Sequence, residues 1–282
     1  MPQTRDETVP LDEEYVPTVI QDGREYQQFA LDNFHYFEPI DDHEMMRLSN
    51  LHEVLMLVFN NRLVPPELSR PRKILDLGSG TGDWAVEVAK TFPACEEDNL
   101  VLQVDNVNES FTWPRNEFDL VHSQMMVGAV NKDRWQPYVR DIFRTLRQGG
   151  WCEMVEIYFN AQSDNGTLTD DHALRRWSKG YLESIQTLKN PRAPLRMARW
   201  MREAGFIVNE EPRPIPLPTC GWSTDARQQE IGRLNRDQVR SMLSSVALYP
   251  MTMFQGMAVR DFEIMVAQAR NEADNPGYKK PR

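Results

Sequence analysis

Lys73-Ile74-Leu75-Asp76-Leu77-Gly78-Ser79-Gly80-Thr81-Gly82-Asp83-Trp84-Ala85 runs from an apolar strand, through an acidic residue and three alternating glycines, straight into a helix. Glycine lets the backbone turn tightly and approach a ligand with no side chain in the way, and the helix start that follows offers unpaired N–H groups. This is the shape of a nucleotide-type cofactor site. The competing reading is a strand-to-helix turn that binds nothing, because glycine-rich turns are weak signals on their own.

Asp76 narrows the ligand. A dinucleotide fingerprint uses G-x-G-x-x-G and packs a pyrophosphate on the helix N-terminus, whereas here the spacing is G-x-G-x-G with a carboxylate just before it. A carboxylate in that place repels pyrophosphate and attracts an ammonium group. The ligand it suits is S-adenosylmethionine, whose methionine end carries an amino group and whose sulfonium is positive; S-adenosylhomocysteine is the product form. A nicotinamide oxidoreductase ranks last for the same reason.

The 282 residues can bury a full core. Lys+Arg 32 against Asp+Glu 42 gives a net charge of −10 and a pI near 5.1, which disfavours general attraction to nucleic acid or to anionic lipid. Cys95, Cys152 and Cys220 are far apart and show no C-x-x-C pairing, so neither a zinc site nor a disulfide framework is suggested. The residues after Met1 lack the apolar core of a secretory signal, and no run approaches the length of a membrane span. The chain is expected to be cytoplasmic or nuclear, and not membrane-bound.

Working outward, residues 1–20 are acidic and broken by Pro2, Pro10 and Pro17, and read as a mobile arm. Residues 21–66 read as a helical cap, with apolar residues at helical spacing from Asp41 to Leu63. Residues 67–211 form the core: strands at Lys73–Leu77, Asn99–Asp105, Phe118–His122 and Trp151–Phe159, and helices at Trp84–Phe92 and Trp135–Leu146. A helical insertion at 163–204 is followed by a strand at Phe206–Val208, and residues 212–282 form a C-terminal helical extension. Strands alternating with helices imply an α/β fold with a mostly parallel sheet covered on both faces.

With FDLVHSQMM at 118–126 and LRQGGWCEMVE at 146–156 added to the glycine turn, the chain resembles class I S-adenosylmethionine-dependent methyltransferases, and more narrowly the LaeA-like (UMTA-type) methyltransferases of fungal secondary metabolism. Supporting segments are DGREYQQFALDNFHYFEPIDDHEMMRLSNLHEVL at 22–55, DNGTL at 164–168 and MREAGF at 201–206. The resemblance covers roughly residues 20–225 and implies a Rossmann-like fold. It places Asp76, Gly78, Ser79, Gly80 and Gly82 around the methionine moiety and sulfonium, Asp105 and Asn106 beside the adenine, and Ser123 and Gln124 near the transferable methyl. One departure from the family pattern stands out. Only Ala94-Cys95-Glu96-Glu97-Asp98 separate Pro93 from Asn99, too few residues for the family's second strand and its ribose-gripping acid. Either NLVLQVD takes the second-strand place and Asp105 is the ribose ligand, or a segment is absent and Glu96, Glu97 or Asp98 substitutes; the pattern of the following residues favours the absent segment.

Methyl transfer from a sulfonium is an in-line displacement, so the protein has to position donor and acceptor, exclude water and accommodate a proton; no metal is needed. His122, at the carboxyl end of a strand, is the candidate base, although strand histidines are more often hydrogen-bonded structural residues. Tyr36 and Phe37, within a run flanked by His35 and His43, are candidates for ligand stacking against a core-packing alternative. Met125 and Met126 offer an adaptable apolar wall for a substrate. Glu153 and Glu156 read as loop or helix partners before an acid/base couple, His52 and His172 as structural, and Trp177, Tyr181, Trp200 and Met201 either as a lid over a bulky apolar substrate or as a helix–helix interface. Three functions follow: a methyltransferase acting on an oxygen or nitrogen of a small metabolite; a regulator that keeps the fold and acts through protein partners; and a methyltransferase-like fold recruited for another reaction, such as a metabolite cyclisation.

Overall fold

The computed structural model describes residues 12–68, 70–92, 100–163, 165–208 and 214–278. It opens with an antiparallel hairpin, β1 (Thr18–Gln21) and β2 (Arg24–Gln27). Asp22 and Gly23 join the strands with φ values of 50° and 77°, the left-handed pair that a two-residue hairpin turn requires. The arm expected over 1–20 is therefore too long by several residues: Val19 pairs with the buried Tyr26, which ties Thr18–Gln21 to the core. Residues 1–11 of that arm lie outside the described residues.

After the short α1 (Gln28–Asp32) comes α2 (Asp42–Val58). Asp41 caps it by accepting from the Glu44 N–H at 3.0 Å, and Arg24 holds the cap in place through Nε and Nη2 at 2.6 and 2.8 Å. The helix thus begins where the sequence puts it and stops short of Leu63.

The central sheet consists of β3 (Ile74–Leu77), β4 (Phe118–Gln124) and β5 (Leu146–Val155), parallel and in the order β3-β4-β5. Between them run α3 (Asp83–Thr91) and α4 (Trp135–Thr145). Strand alternation sorts the side chains onto two faces. Ile74, Leu120 and Trp151 meet Trp84, Ala85 and Val88 of α3 on one face, while Leu75, Val121 and Cys152 join the larger core with Tyr138, Val139 and Ile142 of α4 on the other. β4, in the middle, is buried on both faces from Phe118 to Ser123, as expected of a central parallel strand. The register sets Asp76 opposite His122, and His122 opposite Glu153.

Two expected strands do not form. Residues 100–105 carry no strand, and Val101, Leu102 and Val104 are 72–74% exposed. Phe206–Val208 is likewise irregular, with Ile207 exposed. Alternating β-branched residues describe how a strand would face a sheet, but a strand also needs a neighbour to hydrogen-bond, and among the described residues β3 pairs on one side only. Residues 93–99, including Glu96, Glu97 and Asp98, are outside the described residues.

The remaining helices are α5 (Ala173–Ile185), α6 (Met197–Ala204), α7 (Ala226–Ser245) and α8 (Val259–Ala273). α6 packs on α4, α5 on α8, and α7 on α2. The last contact clamps the N-terminal cap. Arg227 donates to the carbonyls of Leu57 and Val58, Arg24 reaches Ser245 Oγ at 3.1 Å, and Phe37 stacks on Tyr249 with its edge against Phe254. Among the described residues, no helix is long and apolar enough to cross a membrane.

Candidate functional site

At the carboxyl end of β3 the chain turns through Gly78, Gly80 and Gly82 at φ values of 76°, 54° and 80°. Side chains other than glycine rarely adopt this region, so the three glycines are a backbone requirement. Gly82 N–H closes the turn on Ser79 O at 2.8 Å. The N–H groups of Gly78, Ser79, Gly80 and Thr81 have no acceptor among the described residues. Just beyond, the Asp83 carboxylate accepts from Thr81 Oγ1 and Ser49 Oγ, both at 2.7 Å, and these bonds hold it below its ordinary pKa. A free-donor turn at a helix start, with the Asp76 carboxylate one residue before it, is a donor set suited to a ligand that is both cationic and rich in acceptors.

Asp76 is held by its neighbours. His122 Nδ1 lies 3.0 Å from Asp76 Oδ1, the His122 ring stacks on Trp84 at 3.8 Å and 7°, and Trp84 Nε1 donates to Leu63 O. At 3% exposure, His122 is enclosed between α3 and Asp76. It orients the carboxylate, because the face of β4 that carries His122 is the one α3 covers, and this is the hydrogen-bonded structural arrangement weighed beside its expected role as base.

The other residues of the resemblance are placed less uniformly. Ser123, on the opposite face of β4, is fully buried and bonded to Tyr138 Oη at 2.9 Å, so its side chain lies under α4 and not on an open side of the turn. Gln124 is half-buried at the strand end. Met125 adopts φ 58°, and this kink turns Met126 back over the glycine loop, where its Sδ sits 2.5 Å from the place a Gly78 Cβ would occupy. Asp105 is exposed and bonds only locally, to Asn106 N and Thr112 Oγ1, and Asn106 accepts from Asn108 N. Neither reaches the glycine turn through a hydrogen bond.

The cap closes over this end of the sheet. Leu48 of α2 comes within 3.8 Å of a Gly80 Cβ position, and Tyr36 and Glu38 pack on Gly128 in the turn after β4. Phe37 lies in the core with Tyr249 and Phe254, as the packing alternative has it. Trp177 and Tyr181 stack within α5 and Trp200 stacks on Trp135, so these aromatics build helix–helix interfaces. His52 faces Glu87, Glu153 receives Arg62, and His172 caps its own loop through Thr169.

One grouping was not legible in the sequence. Arg47 Nε is 3.0 and 2.9 Å from the carboxylate oxygens of Glu44, and its Nη2 is 3.4 Å from Glu38 Oε2, which also accepts from Tyr36 Oη at 3.1 Å. Glu156, at the end of β5, accepts from the N–H groups of Met126 and Val127 at 2.7 and 3.2 Å. Burial raises Glu38 to about 7 despite Arg47, and raises Glu156 to about 8 despite its two N–H donors, with Glu38 adding to the shift. A carboxyl poised near neutrality beside a cofactor-type turn can accept a proton. The only sequence signals were the Glu44/Arg47 helical spacing and Glu156 at a strand end.

A family described as methyltransferase domain matches residues 47–211. A secondary metabolism regulator laeA of Monascus pilosus is 30% identical, with 94% of this chain and 76% of that protein covered. The methyltransferase pytC of Aspergillus terreus is 29% identical over 76% of this chain and 69% of its own length. A protein-methionine methyltransferase laeA of Emericella nidulans is 28% identical, covering 90% of this chain and 71% of that protein.

Proposed function

The chain belongs to the methyltransferase domain family, on its LaeA-like branch, and from that premise we propose that it transfers a methyl group from S-adenosylmethionine to an oxygen or nitrogen of a small secondary metabolite. The observation that carries this reading is the turn at Gly78–Gly82, with its open N–H groups beside Asp76. When bound, the cofactor supplies an electrophilic methyl group on a cationic sulfur. Asp76 holds its positive charge, and His122, locked by Trp84, keeps the Asp76 carboxylate aimed. The N–H groups of Ser79, Gly80 and Thr81 take the methionine carboxylate. Gln124, Met125 and Met126 would line the methyl-bearing side of a bound cofactor, and Met126 and Leu48, which pack on the turn, would exclude water from it. Asp105 and Asn106 serve the adenosine end once the cofactor is bound. Glu156 takes the acceptor's proton on a carboxylate oxygen.

Ultraviolet crosslinking of methyl-labelled S-adenosylmethionine to the purified chain tests this reading. Labelling is expected, suppressed by S-adenosylhomocysteine and lost in Asp76→Asn; labelling that survives the substitution, or none at all, contradicts it.

The exposed apolar run Leu100–Val104 favours a second reading, in which the chain acts on secondary metabolism through a protein partner. A metabolite phenotype that survives Gly80→Asp, with nuclear regulatory proteins recovered in a pull-down, distinguishes it from catalysis.

A further inference from the structure

Between α2 and the carboxyl ends of β4 and β5 lies a cleft of about 270 Å³, of which about 10 Å³ is interior open to a water-sized group. Three polar side chains on its wall lack partners. His122 donates from Nδ1 to the Asp76 carboxylate at 3.0 Å, and because a carboxylate only accepts, the neutral ring is left with Nε2 as a bare acceptor. His52 is 8% exposed, and its Nε2 is buried without a hydrogen bond, 3.5 Å from Glu87 Oε2. The Gln124 amide makes no side-chain hydrogen bond among the described residues. The charged groups on the wall cancel, since Arg62 is paired with Glu153 at 3.0 Å. What remains is apolar: Leu55, Met56 and Phe59 on the α2 side, and Val155 and the Trp84 ring on the other.

A buried polar site is stable with an occupant that pairs with it. A hydroxyl suits this one, because it donates to His122 Nε2 and accepts from the Gln124 amide or the His52 ring. A carboxylate cannot donate to a bare imidazole nitrogen and would lie beside Glu153. An ammonium cannot accept from the amide and would lie beside Arg62. The apolar walls, with two aromatic rings among them, favour a flat ring behind that hydroxyl. A water held by the same three side chains is the competing occupant, and it makes no use of those walls.

We propose that this cleft binds a phenolic ring of the methyl acceptor, with the phenol hydroxyl on His122 Nε2 and the ring against Phe59 and Trp84. This rests on the methyltransferase reading above and narrows its acceptor to a hydroxylated aromatic compound. The hydroxyl held in the cleft is a recognition group. The oxygen or nitrogen that takes the methyl is the one the ring presents past Gln124, which the cleft shares with the methyl-bearing side of the turn. His122 then serves both ligands, since Nδ1 holds the Asp76 carboxylate and Nε2 receives the acceptor.

The test uses the full chain and four probes: para-fluorophenol, para-fluoroanisole, para-fluorobenzoate and para-fluorobenzylamine. S-adenosylhomocysteine is titrated first by calorimetry, and each probe is then titrated into the saturated protein near neutral pH and followed by fluorine NMR. The phenol is expected to saturate and to bind about tenfold or more tighter than each of the other three. Met56→Trp, which fills the cleft from a half-buried position, is expected to abolish that binding while S-adenosylhomocysteine affinity stays within about twofold. Equal binding of phenol and anisole, tighter binding of a charged probe, phenol binding that survives Met56→Trp, or no saturable binding, meaning that the cleft takes water only, overturns the phenol assignment and leaves the cofactor reading intact. If S-adenosylhomocysteine does not bind, the cofactor reading fails, and the ranking of the probes on the protein alone still decides the cleft. Should Met56→Trp fail to fold by circular dichroism, Phe59→Ala takes its place: phenol weakened about tenfold supports the site, and unchanged affinity overturns it.

Discussion

Gly78→Ala should destabilise the chain more than the same change at Gly80 or Gly82, although all three positions have positive φ. Each alanine is forced into the left-handed region, at about 1–2 kcal/mol. At Gly82 a Cβ meets nothing within 4 Å, and at Gly80 it meets only Leu48 Cδ1 at an ordinary 3.8 Å, so the backbone term stands alone. At Gly78 the Cβ lands 2.5 Å from Met126 Sδ and 3.2 Å from Cε. Methionine is flexible, but Met126 is buried and its N–H is tied to Glu156, so relief requires moving a packed side chain on a fixed backbone. Overpacking of that kind costs about 1–3 kcal/mol, for a total of about 2–5 kcal/mol at Gly78 against about 1–2 at the others. Urea denaturation at constant m-value reads the difference as a shift in midpoint. A Gly78→Ala midpoint indistinguishable from that of Gly82→Ala would refute the packing of Met126 on the turn.

Further outcomes follow from individual groups. Asp41, lowered to about 2 by its bond from Arg24, has a folded pKa below its unfolded one, so its stabilisation is present above about pH 4 and is lost as pH falls toward 2. Asp41→Ala, which costs about 1–2 kcal/mol at neutral pH, should flatten that part of the acid profile followed by circular dichroism. Lys189 donates to His35 O, Ala129 O and Asn131 Oδ1, and burial lowers it to about 7 from 10.5. The unfolded chain then binds more protons between those values, so wild-type stability should rise relative to Lys189→Met as pH increases from 7 to 10 in paired urea titrations. Glu156, raised to about 8, should make the methyl-transfer rate climb with pH up to that value at saturating cofactor, and Glu156→Gln should lose the climb; an unchanged profile in the variant removes Glu156 as proton acceptor.

What the sequence made legible was local. The glycine spacing, Asp76 and the strand before them are contiguous, and their backbone demands can be read from composition alone. Asp41 as a cap and Gly205 at the end of α6, at φ 109°, are of the same kind. The Asp22-Gly23 hairpin turn carried an equally local signal, masked by the acidic, proline-broken residues before it. The run 99–105 misled because alternation reports the faces of a strand and not the presence of a partner. His122 looked catalytic because its position at a strand end was visible while the Trp84 ring stacked on it was not. Glu38, Arg47 and Glu156 come from the cap and the end of β5, and only the packing of the cap over the carboxyl ends of the strands brings them together.

The central claim is that Asp76 and the glycine turn hold a cationic sulfur nucleoside, and calorimetric titration of S-adenosylmethionine against its neutral thioether product tests it most directly. The account predicts one site per chain for both ligands, each weakened by about tenfold or more in Asp76→Asn, because the ammonium group that the carboxylate attracts is present in both. Binding of neither ligand at millimolar concentration, or affinities unchanged by Asp76→Asn, contradicts it.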